Sequence, residues 1–171
     1  MVDTVNIVMI LERFMPFDEL FRIANTVALA CWIVLIALPR RAWIRLTMHA
    51  VVVGGLCLLY ALLVYLYFFR VQGGGFGTLA AVQRLFESPA VALAGWLHYL
   101  AFDLLVGDWI AERSDAIGLS RWLQAPLLAT TFMFAPIGVL LFAGLLGVRK
   151  LRMPARQTLQ MQLQSGVGSR P

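Results

Sequence analysis

Charge is the scarcest property of this sequence. Asp, Glu, Lys and Arg together make up 13% of its 171 residues, against about a quarter in an ordinary soluble domain. With 61% hydrophobic residues and a mean hydropathy of +0.82, the chain has too few polar groups to coat a water-facing surface. Cysteine is nearly absent. Cys31 and Cys57 fall inside apolar runs, offer neither a metal spacing nor a redox pair, and are expected to be buried thiols. There is no P-loop, no His-Glu-x-x-His, no nucleophile elbow and no dinucleotide fingerprint. His98 and Asp103 do not have the i, i+3 or i+4 spacing of helical metal ligands, so neither a metal nor a cofactor is expected. Residues 1–15 hold an apolar patch, Val5–Leu11, but no cationic start or small-residue cleavage site, and no cleavable signal peptide is expected.

What charge there is sits at the ends of apolar runs. The net charge is +5, carried by groups such as Arg40, Arg41 and Arg45, or Arg149, Lys150 and Arg152. That arrangement suits lipid headgroups and argues against nucleic acid as a partner. Four stretches are long enough to cross about 30 Å of hydrocarbon, which takes about 20 helical residues. They are Leu20–Leu38, Leu46–Phe69, Pro89–Ile110 and Pro126–Val148. Backbone groups in lipid must be satisfied within their own segment, so helices are expected. The fold class is therefore all-α: an integral membrane bundle of four transmembrane helices.

The intervening segments are consistent with this reading. Gly73-Gly74-Gly75-Phe76-Gly77 favours irregular backbone. Leu79, Val82, Leu85 and Phe86 then repeat at helical spacing, which predicts a short amphipathic helix capped by Thr78 between the second and third spans. Ser88-Pro89 has the pattern of an N-cap followed by proline at the first helical position. We divide the chain into an interfacial N-terminal segment (1–16), one transmembrane domain (17–148) and a basic, disordered tail (149–171). No internal repeat is present, which argues against an inverted-repeat transporter. The arginine count favours both termini on the cytoplasmic side, although the Arg40-Arg41 pair pulls the other way.

The third span carries the unusual residues. His98 is near its middle, Asp103 about 7.5 Å further along, and Asp108 near its exit. A central Asp costs about 2.5–3.5 kcal/mol to insert, and groups of that cost mark a pathway, a partner or a reaction. Five residues rotate a helix by about 140° net, so His98 and Asp103 cannot share a face. Trp96, Tyr99 and Asp103 fall within about 60° of one another. Keeping both titratable groups from lipid requires this helix to be central. Polar neighbours are available in Asn25, His49, Tyr60, Thr130 and Thr131. Each residue also has a plainer role: His98 as an interhelical hydrogen-bonder, Asp103 as a protonated structural group, Asp108 as a headgroup-level residue, Gly95 and Gly107 as close-approach points. Pro136 in the fourth span should kink it and free a carbonyl near residue 132.

These residues carry a resemblance. The string Gly95-Trp96-Leu97-His98-Tyr99-Leu100-Ala101-Phe102-Asp103, preceded by Leu85-Phe86-Glu87-Ser88-Pro89 and followed by Pro126 through Thr130-Thr131-Phe132-Met133-Phe134-Ala135-Pro136-Ile137-Gly138, closely resembles the abscisic-acid-deficient-4-like family. The first span, from Phe21 through Asn25, is similar to that family's opening helix, and the resemblance covers about residues 17–146. Its members are small multi-pass membrane proteins, and those of plants are plastid proteins needed to make neoxanthin from violaxanthin. Ala135 departs from the glycine expected before the proline. The chain also lacks a plastid transit peptide, so a bacterial member in the inner membrane is expected.

The resemblance implies a carotenoid or other isoprenoid ligand and an intramolecular isomerase or accessory role. Converting a 5,6-epoxy end group into an allenic alcohol needs an acid at the epoxide oxygen and a base for a carbon-bound proton. On that basis Asp103 is assigned as acid and His98 as base. Trp96, Tyr99 and Phe102 would pack the polyene, with Asn25, Thr130, Thr131 and Pro136 completing the binding residues. Two other readings stay open: a scaffold presenting a lipid to a membrane enzyme partner or assembling as a homo-oligomer, and a small proton- or solute-conducting bundle.

Overall fold

The computed structural model describes residues 16–38 and 40–150. The proposed interfacial segment, apart from Pro16, and the tail from residue 151 lie outside the described residues. The first helix, α1 (Phe17–Ala37), opens with Asp18 and Glu19, whose charges favour the positive end of the helix dipole. It ends because Leu38 precedes a proline in sequence, and Leu38 is extended at φ −95° and ψ 157°. The second helix, α2 (Ala42–Arg70), is a continuous rod of 29 residues. It contains a π-helical stretch at Met48–Val53 and a 3-10 turn at Phe68–Arg70.

After the glycine run, where Gly73 takes a positive φ of 71°, comes α3 (Leu79–Phe86). Thr78 caps it, its hydroxyl accepting from the Ala81 amide at 3.2 Å. Leu85 is buried, while Leu79 and Phe86 are exposed. The long helix α4 (Pro89–Ala116) begins with Pro89 at its first turn. Ser88 occupies the cap position but makes no side-chain capping bond. Its 28 residues exceed the expected Pro89–Ile110 and extend about 42 Å, so its C-terminal turns reach beyond a 30 Å slab. Then follow α5 (Arg121–Met133) and α6 (residues 135–150).

Helices α1, α2 and α4 are each long and apolar enough to cross a membrane, and no strand occurs among the described residues. The protein is a helical integral membrane protein. The stretch expected to be a single span over Pro126–Val148 instead starts at Arg121, is interrupted at Phe134 (φ −147°, ψ 75°) and doubles back: Gly138 lies against Thr131, and Arg121 beside Asp115 and Arg149 on the Ile117 carbonyl both sit at the C-terminal end of α4. Pro136 has no N–H to donate to the Phe132 carbonyl, and its ring crowds that oxygen, so the helix stops one turn before the proline. The thiols also differ from expectation: Cys31 is half-buried and Cys57 exposed, because Cys57 points away from the packed face of α2.

As expected, α4 is central. Over its most apolar stretch 56% of residues are buried, against 22% for α1 and for α2. It packs against α1, α2, α3 and α5. The α1–α4 contact closes where the Trp32 indole, 2% exposed, lies on Gly107. Trp32 also meets the Phe132 ring, with centroids 5.4 Å apart. A Cβ on Gly107 would come within 2.3 Å of the indole. Gly107→Ala should therefore destabilise the bundle by about 1–3 kcal/mol through overpacking, read as a lower unfolding temperature by circular dichroism in detergent. Adding Trp32→Phe should recover part of the loss, because it withdraws the obstructing ring atoms.

Candidate functional site

Trp96, Tyr99 and Asp103 share one face of α4, and the first two meet neighbours across the bundle. Trp96 Nε1 donates to Asn25 Oδ1 at 3.1 Å, and the Asn25 amide nitrogen donates to the Phe21 carbonyl at 2.7 Å. The Phe21 ring stacks obliquely on Trp96, which in turn meets Tyr99 at a centroid distance of 5.3 Å. The Tyr99 hydroxyl lies 3.4 Å from the Phe132 carbonyl oxygen, the acceptor that Pro136 leaves unused. One turn further along, Asp103 is 8% exposed, and its Oδ2 is buried without a hydrogen-bond partner among the described residues. Tyr99 also interacts with this carboxyl. A buried oxygen without a hydrogen-bond partner is costly.

Of the other expected site residues, Thr130 and Thr131 turn inward on their own helix. Their hydroxyls donate to Pro126 O at 2.9 Å and Leu127 O at 2.8 Å. Thr131 is buried and presses on Gly138 across the break, so it helps shape the kink. His98 departs from expectation in one respect. It does point away from Asp103, but it is exposed on the surface of the single chain and not walled in by neighbours. Its imidazole stacks on Phe102 at 4.4 Å and meets the Tyr60 ring at 5.5 Å, and Phe102 is itself exposed. The reason is rotational: α2 borders this stripe of α4 through Tyr60 without covering it. Within one chain, His98 and Asp103 do not converge on a common centre.

The densest polar cluster lies elsewhere, where the start of α2 meets the ends of α1 and α4 and the start of α5. Asp108, read from sequence as a headgroup-level residue, is 2% exposed. Arg45 grips it in a fork, with Nε to Oδ1 at 2.9 Å and Nη2 to Oδ2 at 2.7 Å, and reaches Glu112 at 3.0 Å. His49, within the π-helical stretch, brings Nε2 to 3.2 Å from Asp108 Oδ2 without hydrogen-bond geometry. Beside this pair, Arg40 Nη1 donates to the Ala111 carbonyl, Asp115 and buried Gln124 at 3.0, 2.8 and 2.5 Å. Burial lowers the Arg40 guanidinium from its ordinary value, and Asp115 draws it back up. The four-residue spacing of Asp108 and Glu112 on one helix face, opposite an arginine on the same side of the membrane, is the pattern that points to this cluster in the sequence. The forked geometry and the burial suit holding helices together. Among the described residues no group of three metal-ligating side chains gathers.

The model of the ABA4-like family, described as ABA DEFICIENT 4-like, matches residues 19–142. Comparison with curated proteins and with solved structures finds no match. The matched region takes in Asn25, the Arg45–Asp108 pair, all of α4 and the break at Pro136.

Removing one partner of a buried ion pair leaves the other unpaired, at a cost of about 3–5 kcal/mol. Asp108→Leu alone should lower the unfolding temperature in detergent sharply. The double variant Arg45→Met with Asp108→Leu should recover most of the loss, and a double-mutant cycle reads the coupling.

Proposed function

This chain belongs to the ABA DEFICIENT 4-like family, and from that membership together with the orphaned Asp103 carboxyl we propose that it acts within the bilayer on a carotenoid-like isoprenoid lipid. The ligand's oxygen-bearing end group would meet Asp103 and Tyr99, with Trp96 and Asn25 fixing the wall on which its rings lie. The observation that carries this reading is Asp103 Oδ2, buried and without a donor, on the face of α4 shared with Trp96 and Tyr99. In its acid form a carboxyl donates a proton to an epoxide oxygen as the C–O bond opens. The loss of a carbon-bound proton to a base then completes an isomerisation with no net change of atoms. His98 could serve as that base only for a ligand that passes across Phe102 to the other side of α4, or from a second copy of the chain.

The exposure of His98 and Phe102 favours a second reading. In it the protein holds the lipid and presents it to a partner enzyme or to another copy, and the His98 stripe is the surface used. A conducting relay through His98 and Asp103 has less support, since the two point to different sides of α4. We place the protein in a bacterial inner membrane with α3 at headgroup level and with three spans, α1, α2 and α4; α5 and α6 form a hairpin that enters and leaves the bundle at the Asp115–Ile117 end of α4, which puts the start of α1 and the end of α6 on opposite sides.

The test is pathway output in a carotenoid-producing host, with expression of each variant verified. Asp103→Asn should reduce product at least tenfold, and His98→Ala should reduce it less. Full output from both variants would overturn the enzymatic reading. Loss in cells together with unimpaired turnover by the purified, reconstituted variant would favour the presenting role.

A further inference from the structure

The side of α1 turned away from Asn25 carries a groove that the Asp103 site does not use. By helical phase, Val27, Ala30, Val34 and Leu38 lie about 140–220° around α1 from Asn25. They face α2 across an apolar space of about 450 Å³, closed on the other side by Trp43 and Met48. Past Val27 and Val52 it continues into a second apolar hollow of about 210 Å³. At its other end, Val34, Ile44 and Met48 also line a small space of about 10 Å³ bounded by Arg40 and Arg45, about the size of one oxygen atom.

Arg40 is the telling residue there. Its side chain is 5% exposed. Nε donates to the Leu35 carbonyl, and Nη1 serves Ala111, Asp115 and Gln124. Nη2 is buried and has no hydrogen-bond partner among the described residues. A buried charged donor left unmade is costly, so an acceptor oxygen entering from the groove end would be favoured. Arginines also outnumber carboxylates around it: Arg40, Arg41, Arg45 and Arg121 stand with Asp108, Glu112 and Asp115. Exposed Trp43 and Arg41 mark this end as headgroup depth. From Leu38 to Val27 the groove runs about 16 Å along α1, which is half of a 30 Å hydrocarbon slab and the depth of one leaflet.

We propose that this groove is a binding site for an anionic phospholipid of the surrounding bilayer. A phosphate oxygen accepts from Arg40 Nη2, and one acyl chain lies between α1 and α2 from Leu38 down to Val27. The site is separate from Asp103 and stands independently of the function assigned to that residue.

The full-length chain, purified in mild detergent and stripped of lipid, should be titrated with phosphatidylglycerol and with diacylglycerol of the same acyl composition, and binding read by native mass spectrometry. One phosphatidylglycerol should bind at least tenfold more tightly than diacylglycerol. Ala30→Phe, which fills the groove and touches none of the ion pairs, should weaken phosphatidylglycerol at least tenfold. Arg40→Gln should abolish the preference for the phosphate. If Arg40→Gln does not fold, Ala30→Phe and the comparison of the two lipids decide the matter. Equal affinity for the two lipids, or unchanged phosphatidylglycerol affinity in Ala30→Phe, would show lipid bound only as general solvent and overturn the site.

Discussion

Hydrocarbon offers a polar side chain nothing to bond to, so each polar group on α4 needs a partner or a protein wall. This requirement organises the bundle. α4 carries Trp96, Tyr99, Asp103 and Asp108 within a helix that must also cross the membrane. α1 supplies Asn25 to Trp96 and closes down on Gly107 through Trp32. α2 supplies Arg45 to Asp108. The broken α5–α6 stretch supplies a bare carbonyl to Tyr99. The neighbours of α4 are thus fixed by its polar groups as much as by its apolar surface.

The two aspartates show how differently one residue type can be treated in the same helix. Asp108 is held by a forked arginine, and its desolvation is offset by paired charge and aligned hydrogen bonds. Asp103, also buried, keeps an oxygen with no hydrogen-bond partner among the described residues. A structural role explains the first. The second has only Tyr99 beside its carboxyl to set against the cost of burial, and this contrast separates scaffold from candidate chemistry. The kink belongs with Asp103: by leaving Phe132 O unpaired in its helix, Pro136 gives Tyr99 a fixed partner and turns that hydroxyl toward the same face.

Much of this was legible in the sequence because helical phase is rigid. The shared face of Trp96, Tyr99 and Asp103, the divergence of His98, Asn25 as a partner, and the carbonyl freed near residue 132 all follow from 3.6 residues per turn and the missing N–H of proline. What did not follow depends on which sides of α4 are covered. Phase says that His98 points elsewhere, but not whether a neighbour stands there. The burial of Asp108 was hidden for a similar reason. Its distance along the helix suggested headgroups, while the arginine that draws it inward comes from a different element. The start of α5 at Arg121 was missed because Trp122, Gln124 and Pro126 interrupt the hydropathy on which the span was judged, while Gln124 is in fact buried and bonded.

The central claim is that α4 is walled in on its Asp103 face and open on its His98 face. Spin labels at positions 98 and 103, introduced one at a time as cysteine with Cys31 and Cys57 replaced by serine, would report this directly in lipid bilayers through their collision rates with molecular oxygen. The account predicts high oxygen accessibility at position 98 and low accessibility with restricted motion at position 103. Equal accessibility at the two positions, or the reverse order, would contradict it.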